Sequence, residues 1–276
     1  MVEATGRELE LQKDYLAGES IQTIYFGGGT PSLLSEEELN FLLEKLHQLF
    51  PVAPNAEITL EANPDDLKAD KLRTVRKAGI NRLSIGIQSF YEPHLRYLNR
   101  AHNAEEAQTC VKLAQDAGFD NISIDLIYAI PADDHSIWQQ DLAEAMALQP
   151  RHISSYCLTI EEKTAFGNWL RKGKIQEMSD DFAAEQFEML LETLVTAGYE
   201  QYEISNFCLP GGESQHNSNY WRKEKYLGLG PGAHSYNGSS RQYNVSNNGL
   251  YLKALAQDEI PAELDELQPQ IGRAHV

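Results

Sequence analysis

The sequence predicts an α/β fold, a closed or partly closed β/α barrel followed by an irregular C-terminal segment, and three observations predict it. Short β-rich runs alternate with helical stretches, the pattern of a parallel sheet whose strands are joined by helices. Glycine recurs where a helix should end and the next strand begin. The residues that close the strands are polar or glycine, which suits a barrel that gathers its ligand at the C-terminal ends of its strands.

The β-rich runs are Ile21 to Phe26, Glu57 to Leu60, Arg82 to Ile87, Asn121 to Leu126, His152 to Leu158 and Tyr199 to Ile204. Helices between them carry start signals. Ser35 with Glu38, and Asn103 with Glu106, have the spacing at which a cap side chain and its N3 partner exchange hydrogen bonds. A third helix starts near Ser179 and places Phe182, Phe187, Leu190, Leu191 and Leu194 on one face, which reads as core. Gly79, Gly118 and Gly198 stand at the helix-to-strand junctions, where a left-handed C-cap is expected. After Phe207 the composition turns to Gly, Asn and Ser with aromatics, the texture of irregular structure.

Composition bounds the function. With 276 residues, 42% of them hydrophobic, the chain can bury a substantial core in one domain or one domain plus an appendage. Its apolar stretches are strand-sized, and the polar residues after Met1 do not make a signal sequence, so a cytoplasmic protein without a membrane span is expected. A net charge of -18, with scattered Lys and Arg, opposes a polyanionic partner, so nucleic acid is not expected. Cys110, Cys157 and Cys208 are too far apart for a zinc pair or a local cluster loop, and are expected to be buried thiols.

The strand ends hold the candidate site. The first run ends in Gly27-Gly28-Gly29-Thr30-Pro31-Ser32, the second in Glu61-Ala62-Asn63-Pro64, the third in Gln88-Ser89, the fourth in Asp125, and the fifth in Tyr156 and Thr159. Three consecutive glycines admit positive φ and let a ligand approach the backbone. Neither this turn nor Gly228-Leu229-Gly230-Pro231-Gly232 has the spacing of a nucleotide-binding loop. Each polar strand end alone reads as a satisfied residue in a barrel mouth; together, on adjacent strands, they read as a site. Glu61 and Asp125 would also serve an ordinary barrel enzyme as acid and base.

In this order, Gly27 to Ser32, Glu61-Ala62-Asn63-Pro64, Arg82-Leu83-Ser84-Ile85-Gly86-Ile87-Gln88-Ser89-Phe90 and Asp125 resemble the radical S-adenosylmethionine (SAM) proteins related to oxygen-independent coproporphyrinogen III oxidase, over about residues 14 to 248. The resemblance implies a TIM-like radical SAM barrel, here partial, with its first strand missing. It implies that Gly28, Gly29 and Thr30 meet the amino-acid end of SAM, that Glu61, Gln88, Arg100 and Asp125 complete the polar pocket, and that Leu158 flanks the adenosyl group. Within the family, His216-Asn217-Ser218-Asn219-Tyr220-Trp221 resembles the motif of the HemW haem chaperones. That implies His216 as a haem ligand, with Tyr220 and Trp221 packing the macrocycle and Gly232, Ala233 and His234 lining the same cavity.

The resemblance also marks departures. The C-x-x-x-C-x-x-C loop that holds a [4Fe-4S] cluster in these proteins does not occur in the sequence; it is expected upstream of Met1, and the chain as given is expected neither to assemble the cluster nor to cleave SAM. The expected organisation is a barrel core over 1–206, an incomplete HemW-type extension over 207–270, and a tail at 271–276 that resembles the translation of a sequencing-library adapter. The function implied is a chaperone in porphyrin metabolism that binds SAM, a [4Fe-4S] cluster and haem and passes haem to an acceptor protein. The enzyme alternative is radical SAM coproporphyrinogen III dehydrogenation.

Overall fold

The computed structural model describes residues 1–266. The adapter-like tail at 271–276 and the last residues of the expected 207–270 extension lie outside the described residues.

The chain opens with α1 (Val2–Leu11), β1 (Ile21–Phe26), α2 (Glu36–Leu49), β2 (Val52–Ala62), α3 (Ala69–Lys77) and β3 (Arg82–Gln88). It continues through α4 (Glu92–Tyr97), α5 (Ala104–Asp116), β4 (Asn121–Tyr128), α6 (Ser136–Leu148) and β5 (His152–Cys157). Then follow α7 (Ala165–Arg171), α8 (Asp180–Thr196), β6 (Glu200–Gln201) and β7 (Asn206–Cys208). The last elements are α9 (Gln215–Trp221), β8 (His234–Tyr236), β9 (Ser240–Asn244), α10 (Asn248–Leu255) and β10 (Ala262–Glu266). Both expected capping boxes form: Ser35 and Asn103 each accept from the N3 amide, and Glu38 and Glu106 reach back to the cap amides. Gly79, Gly118 and Gly198 all take positive φ at the helix ends, where a Cβ would strain the turn.

The strands order as β1-β2-β3-β4-β5-β7-β6 in one sheet and β10-β9-β8 in another. Neighbours from β2 to β5 run parallel. The sixth expected strand departs from that pattern. Residues 200–201 and 206–208 form a short antiparallel hairpin, and β7 lies antiparallel to β5. The turn between them is closed locally, with the Ser205 amide donating to the Glu203 carboxylate and the Gln201 side chain to the Ile204 carbonyl, so the chain doubles back within a few residues.

By packing, the chain groups into two compact units, one of Met1–Ile24, Leu34–Glu57 and Gln215 onward, the other of Tyr25–Leu33 and Ile58–Ser214. This grouping follows contacts, whereas the expected boundary at residue 206 followed composition. In the second unit the sheet is buried along its length: Leu60, Leu83, Ile85, Ile87, Ile122, Ile124, Leu126 and Ile153 are almost wholly inaccessible, as in a parallel sheet covered by helices. On α8 the buried positions are Gln186, Leu190 and Leu194, with Phe182 and Phe187 half-buried. Gln186 is tolerated inside because its side-chain oxygen accepts from the Ala129 amide.

In the first unit Gly6 of α1 lets the helix lie against Phe41 of α2, since a Cβ there would stand 2.7 Å from the Phe41 ring. Glu8, fully buried, accepts from the Gly230 amide at 2.8 Å, Asn244 Nδ2 at 2.6 Å and the Tyr251 hydroxyl at 2.6 Å. One carboxylate therefore anchors a loop, β9 and α10. The Gly-, Asn- and Ser-rich stretch that reads as irregular consists of loops connecting these short elements, ordered by long-range bonds that local composition does not reveal.

Candidate functional site

The second unit gathers polar groups where its parallel strands end. After β1, Gly28 and Gly29 take φ of +73° and +66°. The Tyr25 hydroxyl donates to Glu61 Oε1 at 2.8 Å and the Gly28 amide donates to Oε2 at 3.1 Å, so the Glu61 carboxylate, at the end of β2, holds the glycine turn. A Cβ at Gly27 would lie 2.6 Å from the Tyr25 ring and 3.0 Å from Glu61 Oε1, which is why the turn requires glycine there too. Burial, reinforced by the Glu61 charge, raises the Tyr25 phenol well above its ordinary range, keeping it a donor.

At the end of β3, Gln88 has φ +67°, a left-handed conformation uncommon outside glycine. Its neighbours fix it. The Ser89 hydroxyl and the Phe90 amide both donate to the buried Asp141 carboxylate at 2.7 Å, and His102 Nε2 lies 3.1 Å from the Ile87 carbonyl oxygen. Burial pushes the Asp141 carboxyl up to about 6, against the lowering effect of those two donors. A strained backbone held on both sides fits a residue placed for a ligand.

Arg100, after α4, donates from Nη2 to Asn63 Oδ1 at 2.7 Å and to the Gly86 carbonyl at 3.2 Å, while its buried Nε has no partner. A Cβ at Gly86 would stand 2.8 Å from Gln88 Nε2 and 3.1 Å from Arg100 Nη2, so glycine makes room for both. On β4, burial pushes Asp125 up to about 6; the Ser154 hydrogen bond and the Arg82 and Arg100 charges pull it down, and the Glu61 charge pushes it up.

These groups line a cavity of ≈ 230 Å³ formed by Gly29, Thr30, Pro31, Ser32, Glu61, Ala62, Asn63, Ser84, Gly86, Gln88, Arg100 and Asp125. Six sequence-predicted residues thus meet in one place, and Gly28 joins them through its bond to Glu61. Leu158 stands outside that lining, its amide donating to the Tyr128 carbonyl. Reading the sequence missed Ser84 and Gly86. Their signal was present: small residues at 84 and 86 alternate with Leu83, Ile85 and Ile87 at the period of a strand, on the face that ends in Gln88. Two carboxylates, a guanidinium with a spare donor, a primary amide and a glycine-walled backbone suit a ligand bearing an ammonium, a carboxylate and hydroxyls, which is the donor set SAM requires.

The first unit holds the other predicted group. His216 lies in α9, where the Gln215 and His216 amides donate to the buried Glu57 carboxylate at 3.3 and 3.1 Å. Its Nδ1 is 2.9 Å from Thr23 Oγ1 and its Nε2 is 3.1 Å from the Tyr220 hydroxyl, with the two rings edge to face. Tyr220 and Trp221 are 49% and 69% exposed, so neither the ring beside the imidazole nor the next one along the helix is packed into the core. His234 is exposed on β8 and its ring lies 5.8 Å from that of Tyr243.

The cysteines do not fit an iron–sulfur cluster. Cys110 and Cys208 are buried as expected, with burial pushing their thiols up to about 12 and about 11. Cys157 is exposed, contrary to expectation: it ends β5 still paired with Tyr128 of β4, but beyond Ser154, where the pairing with β7 stops. Among the described residues no three His, Cys, Asp or Glu side chains are grouped to hold a metal ion, and no helix is long and apolar enough to cross a membrane.

The sequence profile of the Radical SAM superfamily matches residues 4–142. The chain is 38% identical over 242 residues to the haem chaperone HemW of Bacillus subtilis, covering 87% of this chain and 64% of that protein. It is 42% identical over 227 residues to the haem chaperone HemW of Escherichia coli, covering 82% of this chain and 59% of that protein. The chain therefore spans a little under two thirds of the length of these relatives. Among solved structures, coproporphyrinogen III oxidase (HemN) of Escherichia coli superposes with a TM-score of 0.82 at 22% identity, covering 96% of this chain and 64% of that one. That likeness establishes a shared fold, the mostly parallel α/β barrel type expected from the sequence.

Proposed function

The chain belongs to the radical SAM superfamily, and from that premise we propose that its protein is a haem chaperone of the HemW kind, binding SAM in the second unit and haem at His216 in the first. The observation that carries the reading is identity of 37–42% with relatives named haem chaperone HemW, extending over 82–92% of this chain. The geometry agrees with it at both places.

In the pocket, Glu61 and Asp125 accept from the ammonium and hydroxyls of SAM, Arg100 offers its guanidinium to the carboxylate, and Gln88 supplies an amide. The glycine turn lets the ligand lie against the backbone. When bound beside a [4Fe-4S] cluster, SAM supplies a radical on one-electron cleavage. The cysteines of this sequence do not make a cluster site, so no step is assigned through one.

At α9, His216 offers an imidazole to haem iron, and the exposed rings of Tyr220 and Trp221 offer flat contact to the macrocycle. Haem is cargo in this reading, released to an acceptor protein in porphyrin metabolism. The oxidase reading rests on the shared fold with HemN, which at 22% identity does not extend to its reaction.

The two readings separate in one experiment on protein put through anaerobic reconstitution with iron and sulfide and supplied with SAM. Incubation with coproporphyrinogen III is expected to give no decarboxylated product, while hemin added to the same protein is bound stoichiometrically. Turnover of coproporphyrinogen III without haem binding overturns the proposal.

A further inference from the structure

Both ring nitrogens of His216 have partners, and those partners differ in kind. Nδ1 meets Thr23 Oγ1, a half-buried hydroxyl on β1, at 2.9 Å. Nε2 meets the hydroxyl of Tyr220, a half-exposed side chain one helical turn on, at 3.1 Å. Beneath the ring, the buried Glu57 carboxylate accepts from the Gln215 and His216 amides and fixes the start of α9.

We propose that Thr23 is a positioning residue for haem binding: it holds the orientation of the His216 ring so that Nε2 is presented outward, with the Tyr220 hydroxyl as a displaceable placeholder. This rests on the reading of His216 as haem ligand.

The argument is one of proton placement. A ligating imidazole needs a lone pair on the nitrogen that faces the metal, so the proton must sit on the other. Both hydroxyls can donate or accept, so the ring keeps its two contacts in either tautomer; with the proton on Nδ1, that N–H donates to Thr23 Oγ1 and the Nε2 lone pair, met by the Tyr220 hydroxyl, is the one a metal can take. Thr23 thus has the position of the outer partner that orients metal-binding histidines and raises their basicity. The Thr23 bond starts from a strand and is shielded, whereas the Tyr220 bond joins two side chains of one short helix at the surface, where a phenol that leaves Nε2 finds water. The asymmetry selects Nε2 as the open face.

The test is a hemin titration of Thr23→Val, Thr23→Ser and His216→Ala, followed by absorption spectroscopy, with circular dichroism to show that each variant is folded. Thr23→Val keeps the shape of the side chain on a β-strand and removes the hydroxyl. It is expected to weaken hemin binding by roughly ten- to hundredfold, the usual consequence of losing an outer-shell partner, and to shift the ligand-field bands. Thr23→Ser is expected to restore both affinity and spectrum, which recovery of packing alone would not do. Wild-type affinity and spectrum in folded Thr23→Val, alongside a changed spectrum in His216→Ala, overturn the role of Thr23 and leave the haem reading standing. An unchanged spectrum in His216→Ala overturns both. If Thr23→Val does not fold, the serine variant decides: wild-type binding supports the hydroxyl's role, and lost binding in the folded serine variant contradicts it.

Discussion

The two units hold their polar groups in opposite ways. In the pocket of the second unit the backbone is locked: Glu61 holds the glycine turn, Asp141 and His102 hold the left-handed Gln88, and Asn63 and Gly86 hold Arg100. Its spare capacity is one buried donor, Arg100 Nε. Around His216 in the first unit the backbone is equally anchored, by Glu57, but the groups proposed to meet the ligand are exposed and bonded to one another. On the proposed reading, a place for a small polar ligand is built by rigid placement, whereas one that would release its cargo keeps contacts that water can replace.

Four changes break or sharpen that contrast. Gly86→Val puts branched carbon where even a Cβ stands 2.8 Å from Gln88 Nε2, so SAM affinity measured by calorimetry is expected to fall by more than about a hundredfold, with hemin binding unaltered. Arg100→Ala removes the carboxylate's donor and leaves Asn63 Oδ1 unpaired; a loss of about 2 kcal/mol, or roughly thirtyfold in SAM affinity, is expected. The pH dependence comes next. Asp125 is raised to about 6, so its carboxyl is neutral below that value and an acceptor-only carboxylate above it; SAM affinity is expected to climb roughly tenfold from about pH 5 to 7 and to lose that slope in Asp125→Asn. Tyr220→Phe keeps the ring and removes the bond to Nε2, so hemin is expected to bind about three- to tenfold more tightly, read from the same absorption titration.

Much of the fold was legible in the sequence because its signals are local. Capping spacing at Ser35 and Asn103, glycine at three helix ends, and polar residues closing apolar strands each reflect a rule that acts within a few residues. The doubling back of residues 200–208 was not legible, since a short hairpin beside β5 is decided by pairing across the sheet. Nor was the buried Glu8, three of whose partners lie more than two hundred residues away. Of the site, most residues that touch the cavity were readable from motifs, Ser84 and Gly86 excepted, but those that hold them were not. Asp141 sits within an amphipathic helix and Thr23 within an ordinary strand, and only their distances to Ser89, Phe90 and His216 give them meaning.

The most direct measurement is a hemin titration of this chain, followed by absorption, on the wild type, His216→Ala and Arg100→Ala. Saturable binding that is lost in His216→Ala and intact in Arg100→Ala is the expected result, since the proposed haem and SAM groups belong to different units. Binding that survives His216→Ala unchanged, or disappears with Arg100→Ala in a folded protein, contradicts the account.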